Sequence, residues 1–125
     1  MRVWLYARLS NDDDREMNSL LNQREICQAF AEQHGYIIVG QSFDDNISGM
    51  SFDRRGLDEL TAAVDADMID AVIVKDLSRL GRHRTQTALF IDYLREHQVR
   101  VISATEGVDT FRDEDDLIIG VRGLM

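Results

Sequence analysis

An arginine and a serine stand two residues apart in the segment LYARLS, residues 5–10. Side chains of an extended strand alternate between its two faces, so Tyr6, Arg8 and Ser10 would share one face, each about 6.6 Å from the next. A serine shortly before the acidic run Asp12–Asp14 is typical of a helix cap. However, an arginine on a core strand is costly unless an anion meets it. This favours a second interpretation, in which Ser10 is a nucleophile beside a phosphate-binding arginine.

Two later segments bring further arginines. The segment DDNISGMSFDRRG (44–56) contains Arg54, and VKDLSRLGRHR (74–84) contains Arg79 and Arg82. The spacing of the last two places both guanidinium groups on one side of a helical turn. A solvated basic turn would show the same pattern. Combined with the serine, the arginines indicate phosphoryl transfer, in which a hydroxyl attacks a phosphodiester while guanidinium groups neutralise the developing charge.

Other chemistries lack their motifs. The chain has no GxxxxGK[ST] or GxGxxG loop for a nucleotide. It has no GxSxG elbow and no paired His and Asp for a hydrolase triad. No Cys/His spacing indicates zinc. Two alternatives stay open: a metal-dependent nuclease or phosphatase built on the abundant acids, and a non-catalytic interaction domain on the same scaffold.

Composition sets broad bounds. A chain of 125 residues with 44% hydrophobic residues suits one domain. No apolar run approaches the ~20 residues of a membrane helix, and we expect a cytoplasmic protein. The net charge of −9 argues against nucleic-acid binding. However, all the cations except Lys75 are arginines, which bind phosphate through two parallel hydrogen bonds. The single cysteine, Cys27, lies in an apolar helical pattern and is predicted to be a buried structural thiol.

Strand and helix patterns alternate along the chain. Strands are predicted at 2–9, 36–43, 70–77 and 99–104, and helices at 17–35, 57–66, 84–98 and from 116 onward. This order predicts an α/β fold of three layers, αβα, around a central mostly parallel sheet of about four to five strands. Ligands bind beyond the carboxyl ends of such strands. Four loops should therefore meet at one edge of the sheet: 10–18, 44–56, 76–84 and 104–113.

Five motifs in this order resemble one family. They are YARLS (6–10), SLLNQ (19–23), DDNISGMSFDRRGLDEL (44–60), VKDLSRLGR (74–82) and GVDT (107–110). Together they resemble the catalytic domain of the serine site-specific recombinases, which include resolvases, invertases and large serine integrases. The residues of the last two motifs are more similar to those of the large serine recombinases than to those of the small resolvases. The resemblance implies a resolvase-like catalytic domain at 1–112 and the start of a truncated long dimerisation helix at 113–125.

The resemblance also implies roles for individual residues. Ser10 would attack the DNA phosphodiester and form a 5′-phosphoserine intermediate, followed by strand exchange and religation. Four arginines would hold and activate the scissile phosphate: Arg8, Arg54, Arg79 and Arg82. The supporting residues would be Tyr6, Gln23, Asp45, Ser48, Gly49, Lys75, Asp76 and Ser78. The family needs no metal and no cofactor. Its partner is double-stranded DNA, bound by a homodimer or tetramer of the full-length protein, whereas the isolated fragment should be a monomer or weak dimer.

Three positions depart from the family pattern. Arg55 stands where proline is frequent, Ser78 where small resolvases carry an aspartate, and Ala63 where they carry a lysine. The general acid and base therefore have no assignment from sequence.

Overall fold

The computed structural model of the chain describes residues 1–10, 19–46, 54–81 and 84–110. Strands and helices alternate over these residues, as the sequence predicts. In chain order the elements are β1 (Arg2–Ser10), α1 (Leu20–Gln33), β2 (Ile37–Asn46), α2 (Arg55–Asp65), β3 (Ala71–Val74), a 3-10 turn (Leu77–Leu80), α3 (Arg84–Glu96), β4 (Arg100–Ser103) and β5 (Val108–Asp109).

The strands form one five-stranded sheet in the order β2-β1-β3-β4-β5. The first four are parallel, and β5 runs antiparallel to β4. Strand β1 pairs with β2 along its whole length, ending with Ser10 opposite Asn46. Its pairing with β3 stops at Leu5, which lies opposite Ile73. The carboxyl end of β1 therefore extends beyond β3 and needs other partners on that side.

Helices cover both faces of the sheet, which confirms the three-layer prediction. Helices α2 and α3 pack on the face that carries Tyr6 and Val72. Helix α1 packs on the other face through Cys27 and Ala31. Burial on both sides explains why Ala71–Val74 is apolar at every position rather than alternating. Cys27 is 1% exposed, as predicted, and burial raises the pKa of its thiol to about 12.

Several boundaries differ from the prediction. Strand β2 continues to Asn46 because its last residues pair with the end of β1. Strand β3 ends at Val74, since the chain turns at Asp76 into the 3-10 turn. Helix α1 begins at Leu20, where the Ser19 hydroxyl accepts from the Asn22 N–H.

The fifth strand and the last predicted helix have different outcomes. Strand β5, at 108–109, lies within the segment predicted as a loop after the fourth strand. The helix predicted from 116 lies outside the described residues. No helix in the described ranges is long and apolar enough to cross a membrane.

Candidate active site

The end of β1 and the 3-10 turn are joined by two arginines. Arg8 Nη2 donates to the carbonyl oxygens of Ser78, at 2.6 Å, and Gly81, at 3.3 Å. In the opposite direction, Arg79 Nη1 donates to the Arg8 carbonyl oxygen at 2.8 Å. Each arginine thus fixes the backbone of the segment that carries the other. The structure brings Arg8 and Arg79 together at the carboxyl end of the strand on which Ser10 is the last residue.

Arg79 is only 5% exposed, so its charge needs a partner. Its Nε lies 3.3 Å from Asp76 Oδ1, an ion pair within one turn. The same carboxylate oxygen accepts the Ser78 N–H at 3.1 Å and the Ser78 hydroxyl. Asp76 therefore caps the 3-10 turn and neutralises the arginine that the turn carries. Asp76 and Ser78, predicted to be supporting residues, contact Arg79 and its turn rather than Ser10.

Gln23 holds the backbone of β1 beyond the end of its pairing with β3. This side chain is 0% exposed. Its Oε1 accepts the Arg8 N–H at 3.1 Å, and its Nε2 donates to the Arg8 carbonyl at 2.8 Å. A neighbouring parallel strand would make the same two kinds of bond. The Gln23 amide therefore takes the place of a strand and fixes β1 two residues before Ser10.

Tyr6 connects β1 to the start of α2 through a buried carboxylate. Its hydroxyl donates to Asp44 Oδ2 at 2.6 Å. The backbone N–H groups of Gly56 and Leu57 donate to Asp44 at 2.7 and 3.0 Å. A Cβ on Gly56 would lie 2.3 Å from the Phe43 carbonyl oxygen, so only glycine permits this close approach. These contacts place the first turn of α2, and Arg54 before it, beside β1.

The Tyr6 hydroxyl is a proton donor throughout the neutral range. Burial and the adjacent Asp44 carboxylate raise the pKa of Tyr6 far above its usual value near 10. The positive charges of Arg8 and Arg54 lower this pKa and only partly oppose the increase.

Asp44 is a site residue that the sequence interpretation missed, since it named Asp45 instead. Asp44 is 2% exposed and faces Tyr6, whereas Asp45 is exposed in the same strand. The register sets Arg8 opposite Asp44. Strand alternation was the available signal, because a continuous strand through residue 44 would place Ser42 and Asp44 on one face. Because the strand was predicted to end at residue 43, Asp44 was not included in this alternation.

The other predicted residues lie in different places. Arg54 is exposed and directly precedes α2. Lys75 Nζ lies 3.5 Å from Asn22 Oδ1 in α1, on the face of the sheet opposite the Arg8 side chain. The structure therefore does not bring Lys75 to the side of Arg8. Arg82, Ser48 and Gly49 lie outside the described residues. In the part of the chain that is described, no group of three or more His, Cys, Asp and Glu side chains could hold a metal ion.

Comparison with known proteins identifies the family. Residues 3–125 match the model of the resolvase N-terminal domain. The chain belongs to this family of serine recombinase catalytic domains. The predicted family is thus confirmed, and so is the resolvase-like fold.

Individual relatives agree with this assignment. Transposon Tn3 resolvase of Escherichia coli is 29% identical over 121 residues, which cover 97% of this resolvase-family chain and 60% of that protein. The chain thus spans 60% of the length of this curated relative. A resolvase family site-specific recombinase from Streptococcus pneumoniae is 29% identical, with a TM-score of 0.82 over 97% of this chain and 82% of that one. The N-terminal catalytic domain of TP901-1 integrase has the same fold, with a TM-score of 0.82 at 24% identity over 97% of this chain and 90% of that one.

Proposed function

We propose that this chain is the catalytic domain of a serine site-specific DNA recombinase, with Ser10 as its nucleophile. The observation that carries the proposal is the interlocked pair Arg8 and Arg79 at the end of the strand that carries Ser10. A serine beside two oriented guanidinium groups suits attack on a phosphodiester. Membership of the resolvase family supports the same chemistry.

In the proposed reaction, Ser10 Oγ attacks the phosphorus of a DNA phosphodiester. An Oγ–P bond forms and the P–O3′ bond breaks, leaving a 5′-phosphoserine and a free 3′-hydroxyl. The proton of the Ser10 hydroxyl is transferred to the departing 3′ oxygen. After strand exchange, a 3′-hydroxyl attacks the phosphoserine and releases the serine, so that one ester replaces another at each step. No hydrolysis occurs, and neither a metal nor a cofactor is required.

The arginines would neutralise the charge that develops on the non-bridging phosphate oxygens. A guanidinium carries five N–H donors, so Arg8 and Arg79 can keep their backbone bonds and still donate to a phosphate. Arg54 and Arg82 would complete the set from two neighbouring loops. Lost electrostatic stabilisation of this kind costs about 3 kcal/mol for one donor in other enzymes.

Other groups would support the site. Tyr6 and Gln23 hold β1, while Asp76 and Ser78 hold the 3-10 turn. We further propose that Asp45, Ser48 and Gly49 shape the loop after β2. The substrate would be duplex DNA, bound by a dimer or tetramer of the full-length protein. Residues 113–125 would begin the dimerisation helix.

The decisive experiment traps the covalent intermediate. The full-length protein is incubated with a nicked duplex from the DNA that surrounds its gene, in the presence of EDTA. We expect a protein–DNA adduct that Ser10→Ala abolishes, since alanine has no nucleophile. Ser19→Ala is the matched control: it loses the cap of α1, at a cost of about 1 kcal/mol, but should retain the adduct. An adduct that persists in Ser10→Ala would refute the assignment.

A further inference from the structure

The turn between β4 and β5 contacts the segment that leads into the 3-10 turn. Glu106 Oε1 accepts the Leu77 N–H at 2.8 Å and the Ser103 hydroxyl at 2.8 Å. Beside it, the Thr105 hydroxyl donates to the Lys75 carbonyl at 2.6 Å, and the Thr105 N–H donates to the same oxygen at 3.0 Å. The chain between β3 and the 3-10 turn is therefore held by Thr105 and Glu106, two consecutive residues of the turn between β4 and β5.

Glu106 satisfies a backbone donor that the 3-10 turn cannot satisfy itself. The first N–H groups of any helical turn lack partners within the turn. Here two carboxylates supply them: Asp76 accepts from Ser78, and Glu106 accepts from Leu77. Asp76 belongs to the same segment, whereas Glu106 comes from beyond β4. Glu106 therefore fixes the turn relative to the sheet.

The hydrogen bond between Glu106 and Leu77 is connected to Arg8 and Arg79 through the residues of the 3-10 turn. Leu77 is the first residue of the turn that carries Ser78 and Arg79. Arg8 donates to the Ser78 carbonyl, and Arg79 donates to the Arg8 carbonyl. If Leu77 shifts, both contacts shift with it. Glu106 itself is anchored at Ser103, which is 0% exposed, so one end of the chain of contacts lies in the rigid core.

We propose that Glu106 is a positioning residue for the recombination chemistry, an inference that rests on the proposed function. Its carboxylate oxygen sets the place of the 3-10 turn and, through Leu77, the place of Arg79 and Arg8 relative to Ser10. It acts as a hydrogen-bond acceptor and does not touch the reacting phosphate. A glutamine, which keeps the acceptor oxygen, should therefore replace it, whereas an alanine should not.

The test measures single-turnover adduct formation by the full-length protein at saturating concentration. Glu106→Ala should slow the step by about 10²-fold, the effect of a displacement near 1 Å at a catalytic group, while the protein concentration for half-maximal DNA binding stays unchanged. Glu106→Gln should stay within about threefold of wild type. Glu25→Ala, which removes an exposed glutamate of α1, is the matched control and should have no effect.

A second measurement is independent of DNA. In the 125-residue chain, hydrogen exchange of the Leu77 amide should accelerate in Glu106→Ala and stay at the wild-type rate in Glu106→Gln. If Glu106→Ala does not fold, Ser103→Ala replaces it: the carboxylate remains but loses its anchor, and the adduct should form more slowly than in wild type.

The outcomes separate the two proposals. If wild type forms no adduct, or if Ser10→Ala also forms the adduct, the proposed function fails. If wild type forms a Ser10-dependent adduct and the Glu106→Ala rate equals it, the role of Glu106 is wrong. Equal slowing by Glu106→Gln and Glu106→Ala would show that the charge matters, which also contradicts positioning by an acceptor oxygen.

Discussion

Asp44 and Asp45 are consecutive in β2, yet their carboxylates have opposite surroundings. Asp44 is buried and accepts hydrogen bonds from Tyr6, Gly56 and Leu57. Asp45 is exposed. The buried contacts of Asp44 therefore predict that its carboxylate stabilises the fold.

Asp44→Asn should destabilise the fold by about 1.5–3 kcal/mol, the worth of a hydrogen bond to a charged group. The amide turns one acceptor oxygen into an N–H donor, which then faces donors from the backbone and Tyr6. Glu59→Gln makes the same carboxylate-to-amide change at an exposed position of α2, and it should change the free energy of unfolding by less than about 0.5 kcal/mol. Urea unfolding followed by circular dichroism measures both. Equal effects of the two variants would contradict the assigned contacts of Asp44.

Sequence patterns predicted residue types at this site better than their contacts. Tyr6 and Arg8 were placed on one face by strand alternation alone, and the structure agrees. The buried ion pair of Arg79 with Asp76 was not predictable, because burial depends on residues distant in sequence. Lys75 was grouped with the arginines because it lies at the end of the strand predicted over 70–77, but its ammonium group lies beside Asn22 of α1 instead.

At the scale of elements, local sequence patterns predicted the type and order of the strands and helices. They failed at strand ends that are set by pairing with another strand. The apolar runs of β1 and β3 and the amphipathic pattern of α1 gave the correct types and order. The end of β2 is set by its register with β1, which is information from another strand. The short strand β5 has only Val108 and Asp109, too few residues for an alternation to be visible.

The contact between α2 and α3 predicts a dependence of stability on alkaline pH. The Tyr93 hydroxyl donates to Asp65 Oδ1 at 2.6 Å. Burial and the Asp65 carboxylate raise the pKa of Tyr93 to about 12, above its usual value near 10. A group whose pKa is raised by folding stabilises the protein fully below its unfolded pKa and loses this contribution as pH rises. The window for Tyr93 is therefore pH 10 to 12.

Tyr93→Phe tests this contact. At pH 9 the variant should be less stable than wild type by about 0.5–1.5 kcal/mol, the worth of one hydrogen bond. The difference should narrow between pH 10 and 12, because wild type alone loses the contribution of Tyr93. Tyr6 is present in both proteins, so its own titration cancels in the comparison. Urea unfolding at several pH values measures the difference, and a gap that stays constant to pH 12 would contradict the predicted linkage.

At the scale of the whole molecule, the net charge of the chain is negative, whereas the arginines of the candidate site are positive. The chain carries 23 acidic and 14 basic residues, a net charge of −9. Arg8 and Arg79 nevertheless meet at the end of β1. In the proposed function, long-range repulsion from DNA would coexist with a local arginine pair that binds one phosphate.

The isolated chain should therefore bind non-specific duplex DNA weakly. At 150 mM salt we expect a Kd at or above the weak end of the usual ~10⁻⁴–10⁻⁶ M range, with little salt dependence. Fluorescence anisotropy with a labelled duplex at 50 and 200 mM salt measures both quantities. Asp67→Asn, at the opposite end of the sheet, should bind equally weakly. A nanomolar Kd with steep salt dependence would show that the net charge does not control binding.

The buried thiol of Cys27 has a practical consequence for experiments on this domain. Burial raises the pKa of this thiol to about 12, so the thiol stays protonated at pH 8, and the side chain is 1% exposed. Alkylating reagents can then modify it only when α1 separates from the sheet. Because Cys27 is the only cysteine of the chain, the rate of its alkylation reports how often that opening occurs. A fluorophore attached to a cysteine introduced on the surface would not compete with it in the folded protein.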